Sequence, residues 1–241
     1  MRNRNLDDVA RTTIVFVLLL IGGLLFISHQ KSPYEIRLFG YLIIGKYAAK
    51  KPRVISVSCS PVHGFSKDPI DSIKLIKGLG VEGDAHYGEE DQHLFRVKAG
   101  LHQPNLRQVH LLQGELLKEL DLRPSDIGEN VTTEGIDLLG LGRGTKLHFV
   151  EDNEEIIRSA RTTAATGKHA VVEVTRLRNP CYQIDKFRKG LKEKFIVRDE
   201  ERNIVARKSG IMGVVLVGGE LTPQMRIVVE EPEAFQTLEV V

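Results

Sequence analysis

The sequence predicts a mainly β protein: a β-barrel with a few short helices, preceded by an N-terminal transmembrane helix. Three observations carry this. Short β-branched or alternating runs recur from residue 54 to residue 230, with glycine-rich turns between them. Few stretches have helical spacing, and those are brief. Residues 14–27 are apolar or glycine throughout. Many short strands can bury their apolar faces by curling into a closed or nearly closed barrel.

Composition narrows the function. The chain has 241 residues, enough for one substantial domain or two small ones. Hydrophobic content of 41% and charged content of 27% suit a globular protein with a real core. A net charge of +2 with no dense Lys/Arg stripe argues against a nucleic-acid partner. Two cysteines make no disulfide framework, so a reducing compartment is expected, although a single Cys59–Cys181 bridge stays open.

The elements follow in order. Thr12, Thr13 and Ser28 extend the apolar run to the short end of what spans a bilayer. The competing reading is the apolar core of a cleaved signal peptide, but no small-x-small site follows before Pro33. An uncleaved anchor, about residues 12–28, is preferred. Lys50, Lys51 and Arg53 tip the charge bias towards a cytosolic C-terminal domain in a single-pass protein. The organelle is open, the mitochondrial outer membrane among the options. A shorter apolar patch in residues 33–49 cannot span and is read as lying along the membrane surface. Lys50-Lys51-Pro52 marks the boundary between residues 1–50 (tail, anchor and linker) and a barrel domain at 51–235.

Within that domain, residues 54–59 alternate like a first strand, which makes Cys59 structural rather than reactive. Residues 73–76 read as a short strand, and residues 78–88 are too glycine-rich for a helix. A polar loop covers 89–106, a strand 108–112, and Leu116, Leu117 and Leu120 have helical spacing ending before Pro124. Asn130-Val131-Thr132 is a glycosylation sequon, meaningful only in a lumenal chain. Gly142 and Gly144 lack Walker spacing before Lys146 and read as a turn. Residues 151–169 read as a flexible excursion, 187–195 as a helix, and 211–217 and 226–230 as the last strands.

Residues 171–185 organise the chain. The run begins as a β-branched strand in which alternation puts Val172, Val174, Arg176 and Arg178 on one side. Two valines followed by two arginines suggest a strand leaving the core for a rim. Pro180 ends it by removing a ladder donor and holding Asn179 extended. Cys181 follows at once, beside two guanidinium groups. Such a setting favours the thiolate, which attacks electrophiles and binds metals. The alternative is a small buried apolar residue.

Five segments taken together resemble the MOSC domain, named after the C-terminal part of molybdenum-cofactor sulfurase. They are Gly83-Asp84-Ala85-His86-Tyr87-Gly88, Gln108-Val109-His110-Leu111-Leu112, Gly128-Glu129-Asn130-Val131-Thr132, Arg178-Asn179-Pro180-Cys181 and Gly210-Ile211-Met212-Gly213-Val214. Each is weak alone, and their shared order is what makes the resemblance specific. It spans residues 54–229 and is nearest to stand-alone bacterial-type members. It implies a β-barrel, a molybdenum cofactor (a pterin dithiolene bearing a phosphate), and a cysteine at position 181 that binds molybdenum or carries sulfane sulfur. It makes the sequon incidental. Arg176, Arg178, Asn179, His86 and His110 become candidate cofactor-binding residues, with Cys181 as catalytic residue and metal ligand.

Three functions follow from the resemblance: a molybdoenzyme reducing N-hydroxylated compounds, a persulfide or cofactor carrier, or a membrane-tethered scaffold. The chain lacks the pyridoxal-phosphate (PLP) dependent desulfurase domain of full sulfurases and any matching lysine motif. It also lacks room for the extra N-terminal domain of amidoxime-reducing relatives. An electron-donor protein or a PLP-dependent cysteine desulfurase is therefore the expected partner, with the membrane reached through the N-terminal helix.

Overall fold

In the computed structural model the described residues are 51–93, 97–100, 102–151 and 169–240. The apolar run at 14–27, the patch at 33–49 and most of the excursion at 151–169 lie outside them. Among the described residues no helix is long and apolar enough to cross a membrane.

Seven strands close the barrel. They are β1 (Arg53–Cys59), β5 (Val109–Gln113), β6 (Val131–Glu134), β7 (Lys146–Val150), β8 (Ala170–Leu177), β11 (Ile211–Val217) and β13 (Arg226–Glu230). Their order around the wall is β13-β7-β8-β11-β5-β6-β1, and β1 pairs back onto β13. All these neighbours are antiparallel except β5 and β6, which run parallel. β2 (Asp68–Ile70) extends the edge of β1. β3 (Ile73–Ile76), β4 (Gly80–Val81) and β12 (Gly219–Leu221) form a separate three-stranded sheet, and β9 (Ile196–Arg198) with β10 (Ile204–Arg207) a two-stranded one.

Alternation explains the interior. Val109, Leu111, Val131, Leu147, Phe149, Val172, Val174, Ile211 and Val215 all belong to the main core cluster. β5 shows why one strand can be buried at all five positions. Val109 and Leu111 face that core, while Leu112 packs outside it against a second cluster of Leu116, Leu117, Ile127, Ile184, Leu191 and Phe195. That second layer is supplied largely by α1 (Gly114–Glu119), α2 (Tyr182–Phe187) and α3 (Leu191–Lys194).

Two local expectations need correction. Residues 187–195 are not one helix. α2 ends at Phe187 and α3 begins at Leu191, because Arg188 is extended and Gly190 takes a left-handed φ of 78°. The alternation assigned to β8 also fails: a register shift between Met212 and Gly213 of β11 sets Arg176 opposite Met212 and Val174 opposite Gly213, skipping Thr175. Val172, Val174 and Leu177 pack in or on the core, so Arg176 does not continue the valine face.

Candidate functional site

The site forms where β1 ends, β6 begins, β8 ends and β11 begins. These lie on neighbouring strands of the wall, with β5 between β6 and β11.

Cys181 occupies the turn from β8 into α2. Pro180 stops the ladder, and the Cys181 carbonyl accepts the Ile184 N–H at 3.2 Å, so the thiol sits at the strand-to-helix junction. Its Sγ lies 3.7 Å from Gln183 Oε1, and it packs in neither apolar cluster. Cys59, by contrast, packs against the main core, with Sγ 3.6 Å from the Glu82 carbonyl. Burial, then Asp84, raise the Cys59 thiol above its ordinary value, while Lys67 pulls the other way. Both cysteines are free thiols, which closes the question of a Cys59–Cys181 bridge.

The two arginines separate. Arg176 turns to Glu239, with Nη1 3.2 Å from Oε2 at an exposed pair. Arg178 lies just past the end of β8, and its main chain is clamped on both sides. Its N–H donates to the Gly210 carbonyl at 2.9 Å, and its carbonyl accepts the Ser209 hydroxyl at 2.7 Å. Its Nη1 is buried without a hydrogen-bond partner among the described residues. Burial pulls this guanidinium below its ordinary value; Cys181 and Glu129 support its charge and Arg107 opposes it. Asn179 is exposed and accepts from Arg207 Nε at 3.1 Å.

His110 is on the outer face of the wall, the face it shares with Leu112, and not in the barrel interior. Its Nε2 is 2.8 Å from the Ser209 carbonyl. A carbonyl only accepts, so Nε2 carries the proton. Burial, then the nearby Arg178 charge, keep the ring well below its ordinary value and therefore neutral. Gly210 makes this approach possible: its φ is +90°, and a Cβ there would lie 2.2 Å from the Leu111 carbonyl and 2.9 Å from His110 Nε2.

A polar network joins His110 to His86. Asn130 accepts the His110 N–H at Oδ1 (3.1 Å), and its Nδ2 donates to the Ser58 carbonyl (3.2 Å) and to Asp84 Oδ2 (3.0 Å). With its side-chain amide committed in this way, Asn130 is a structural residue. Asp84 also takes Lys67 Nζ at 2.6 Å and His86 Nδ1 at 3.1 Å. Burial alone would raise the Asp84 carboxyl, but the His86 hydrogen bond and the Lys67 charge outweigh it and hold it well below the carboxylate range. Asp84 is thus ionised and accepts, His86 Nδ1 donates, and in the neutral ring Nε2 keeps its lone pair. His86 is partly exposed and packs edge-on to His63 with ring centroids 5.0 Å apart.

Glu129 completes the support. Its Oε1 accepts from the Ser125 N–H (2.7 Å) and the Thr132 hydroxyl (2.9 Å), while Oε2 is buried without a partner among the described residues. Burial raises its carboxyl, opposed by those hydrogen bonds and by Arg178.

Arg178 and His110 therefore meet at Ser209–Gly210, Cys181 follows Arg178 three residues on and supports its charge, and His86 joins through Asp84 and Asn130, whereas Arg176 and Asn179 make separate contacts. Lys67, Asp84, Glu129 and Ser209 also build this network, and sequence reasoning missed their roles. Asp84 and Glu129 sit inside the quoted motifs. Lys67 lies in a loop that carries no signal.

No protein-family model and no curated protein matches the chain. Solved structures do resemble it. The YuaD protein from Bacillus subtilis superposes with a TM-score of 0.56 at 18% identity, over 76% of this chain and 98% of that one. YiiM from Escherichia coli gives 0.45 at 16%, covering 77% and 73%. YiiM from Geobacillus stearothermophilus gives 0.48 at 15%, covering 75% of each chain. The shared β-barrel fold rests on YuaD.

Proposed function

We propose that this chain is a MOSC-type protein that binds the molybdenum cofactor, with Cys181 as the protein ligand to the metal, and that it reduces N-hydroxylated compounds. The observation that carries the reading is the buried, unpartnered Nη1 of Arg178, three residues before Cys181, a residue that supports its charge. An orphan guanidinium is costly unless an anion completes it, and a cysteine in its thiolate form is a soft metal ligand. The residues fit a metal that arrives with its own sulfur ligands, since no group of three His, Cys, Asp or Glu among the described residues is arranged to hold a bare ion.

When bound, the cofactor supplies two-electron redox chemistry. The chain's own residues bind and orient. Cys181 offers one sulfur ligand from a turn that follows Pro180. Arg178, clamped by Ser209 and Gly210, presents positive charge to the anionic group. His110 donates to Ser209 and stays neutral, so it adds no charge beside Arg178. His86, oriented by Asp84, offers an acceptor nitrogen that can hold a substrate proton. Cleaving an N–O bond to amine and water needs electrons from outside, which an electron-donor protein would deliver.

The position of Cys181 outside both apolar clusters also favours a second reading, a persulfide carrier loaded by a PLP-dependent cysteine desulfurase. One experiment separates the two. The full chain and Cys181→Ser are purified from cells that make the cofactor, and molybdenum, pterin and cyanide-releasable sulfur are quantified. Stoichiometric molybdenum and pterin in the wild type, lost in the variant, support the first reading. Releasable sulfur without molybdenum supports the second.

A further inference from the structure

The surface built by residues 182–208 stands apart from the rest of the chain in both charge and apolar exposure. This segment carries nine Lys or Arg against five Asp or Glu, whereas the whole chain carries 34 against 32. The positive excess of the protein is therefore concentrated here, and the remainder is slightly acidic. Most of the acids are also tied down locally. Asp185 accepts the Lys192 N–H at 2.8 Å, Asp199 accepts the Asn203 N–H at 2.7 Å, and Glu193 pairs with Arg198. Lys189 and Lys194 are exposed and engage no hydrogen bond or ion pair among the described residues.

Among these charges the same elements expose apolar side chains that the core does not need. Tyr182 is 62% and Val205 58% exposed, and Phe187, Val197 and Ile204 are also open. Lys186 Nζ lies 4.8 Å from the centre of the Tyr182 ring. β9 and β10 form their own two-stranded sheet, joined to no strand of the barrel. A two-stranded sheet with bare aliphatic side chains gains little by itself.

We propose that residues 182–208 form a docking surface for an anionic lipid bilayer. Aliphatic and tyrosine side chains that protrude among lysines suit the boundary between headgroups and acyl chains. The apolar parts enter, and the flexible lysine stems keep their ammonium groups at the phosphates. Charge complementarity selects the anionic surface. A protein partner fits less well, because lysine is depleted in protein–protein interfaces and arginine enriched. Here the arginines are largely engaged: Arg188 bonds the Leu120 and Asp121 carbonyls, Arg198 pairs with Glu193, and Arg207 donates to Asn179. The lysines are what the surface offers.

The surface acts independently of any N-terminal anchor, and the test is specific to position. The chain has no tryptophan. Val205→Trp in the full chain therefore places a single indole reporter on the surface, and Val197→Trp places a second on the neighbouring strand. Vesicles of phosphatidylcholine alone are compared with vesicles containing phosphatidylserine. The expected result is a blue shift of both reporters on phosphatidylserine vesicles only, reversed by high salt. Adding Lys189→Gln and Lys194→Gln should weaken the apparent vesicle affinity about five-fold for each lysine removed. No shift with either reporter on phosphatidylserine vesicles overturns the proposal and leaves the surface to an acidic protein. An equal shift on both vesicle types also overturns it, because an apolar tether alone would then account for contact.

Discussion

Lys67 Nζ and Asp84 Oδ2 meet at 2.6 Å, with side chains only 5% and 2% exposed. The pair draws the loop before β2 onto the segment after β4, and Asp84 passes the constraint to His86 and Asn130.

Asp84→Asn should therefore destabilise the fold by about 3–5 kcal/mol, since it leaves the Lys67 charge buried and uncompensated. Lys67→Met added to Asp84→Asn should restore part of that loss, a coupling read from urea midpoints of the four proteins in a double-mutant cycle. The Asp84 carboxyl is depressed in the fold. Its stabilisation is thus present above the unfolded value of about 3.9 and lost as pH falls below it. Acid unfolding below about pH 4 should be shallower in the variant.

His110 titrates in another window. Its folded value is lowered by burial and by Arg178, so the unfolded chain takes up the proton first as pH falls through about 6.5. The contribution to stability is present above that pH and declines by up to about 1.4 kcal/mol per pH unit below it. His110→Gln retains a donor for the Ser209 carbonyl but does not titrate. The difference in urea midpoint between wild type and variant should shrink from pH 7.5 to pH 5.5. A constant difference would show that His110 is not the titrating group.

The two cysteines should part company. Cys181→Ser is expected to cost less than about 0.5 kcal/mol, because the thiol packs in neither cluster, while bound molybdenum or persulfide disappears. Cys59→Ser should cost about 1–2 kcal/mol, because it places a hydroxyl against the core, and should leave loading intact. Thermal melts paired with the loading assay check both, and identical loading in the two variants would sink the assignment of Cys181.

Arg178→Met is the sharpest test of the orphan guanidinium. Replacing a buried, incompletely paired charge by an apolar chain of similar length should change stability by less than about 1 kcal/mol. The backbone clamp through Gly210 and Ser209 is untouched by this change. Cofactor loading should fall at least tenfold. A variant that loads normally removes Arg178 from the site, whatever its melting temperature.

Much of the barrel is legible in the sequence because burial on one face leaves a period of two. Residues 73–76 show it and form β3, beside the barrel, with those bounds, whereas residues 226–230 form β13 with those bounds on their β-branched composition and without alternating burial. β2, β9 and β10 are mostly exposed and carry no such pattern. The bulge that parts Arg176 from the valine face is likewise invisible, since one extra residue at Thr175 is decided by the partner strand β11. Cys181 stands out because proline, arginine and thiol lie together in sequence. Lys67 does not, since what makes it tolerable in the interior is a carboxylate seventeen residues away.

The barrel closes on a narrow seam. The strand register between β1 and β13 is a single pair, Arg53 opposite Arg226, extended by the Val54 N–H to the Met225 carbonyl and the Ile227 N–H to the Pro52 carbonyl. Among the described strands the first thus waits for the last before the N-terminal end of its outer edge is paired, β2 covering Val57–Cys59. During synthesis β1 is an open edge that can recruit the wrong neighbour, and closing so long a loop is the slow entropic step. The longer that unfinished wheel stands open, the longer its unpaired rim is exposed to mispairing before the native state is reached.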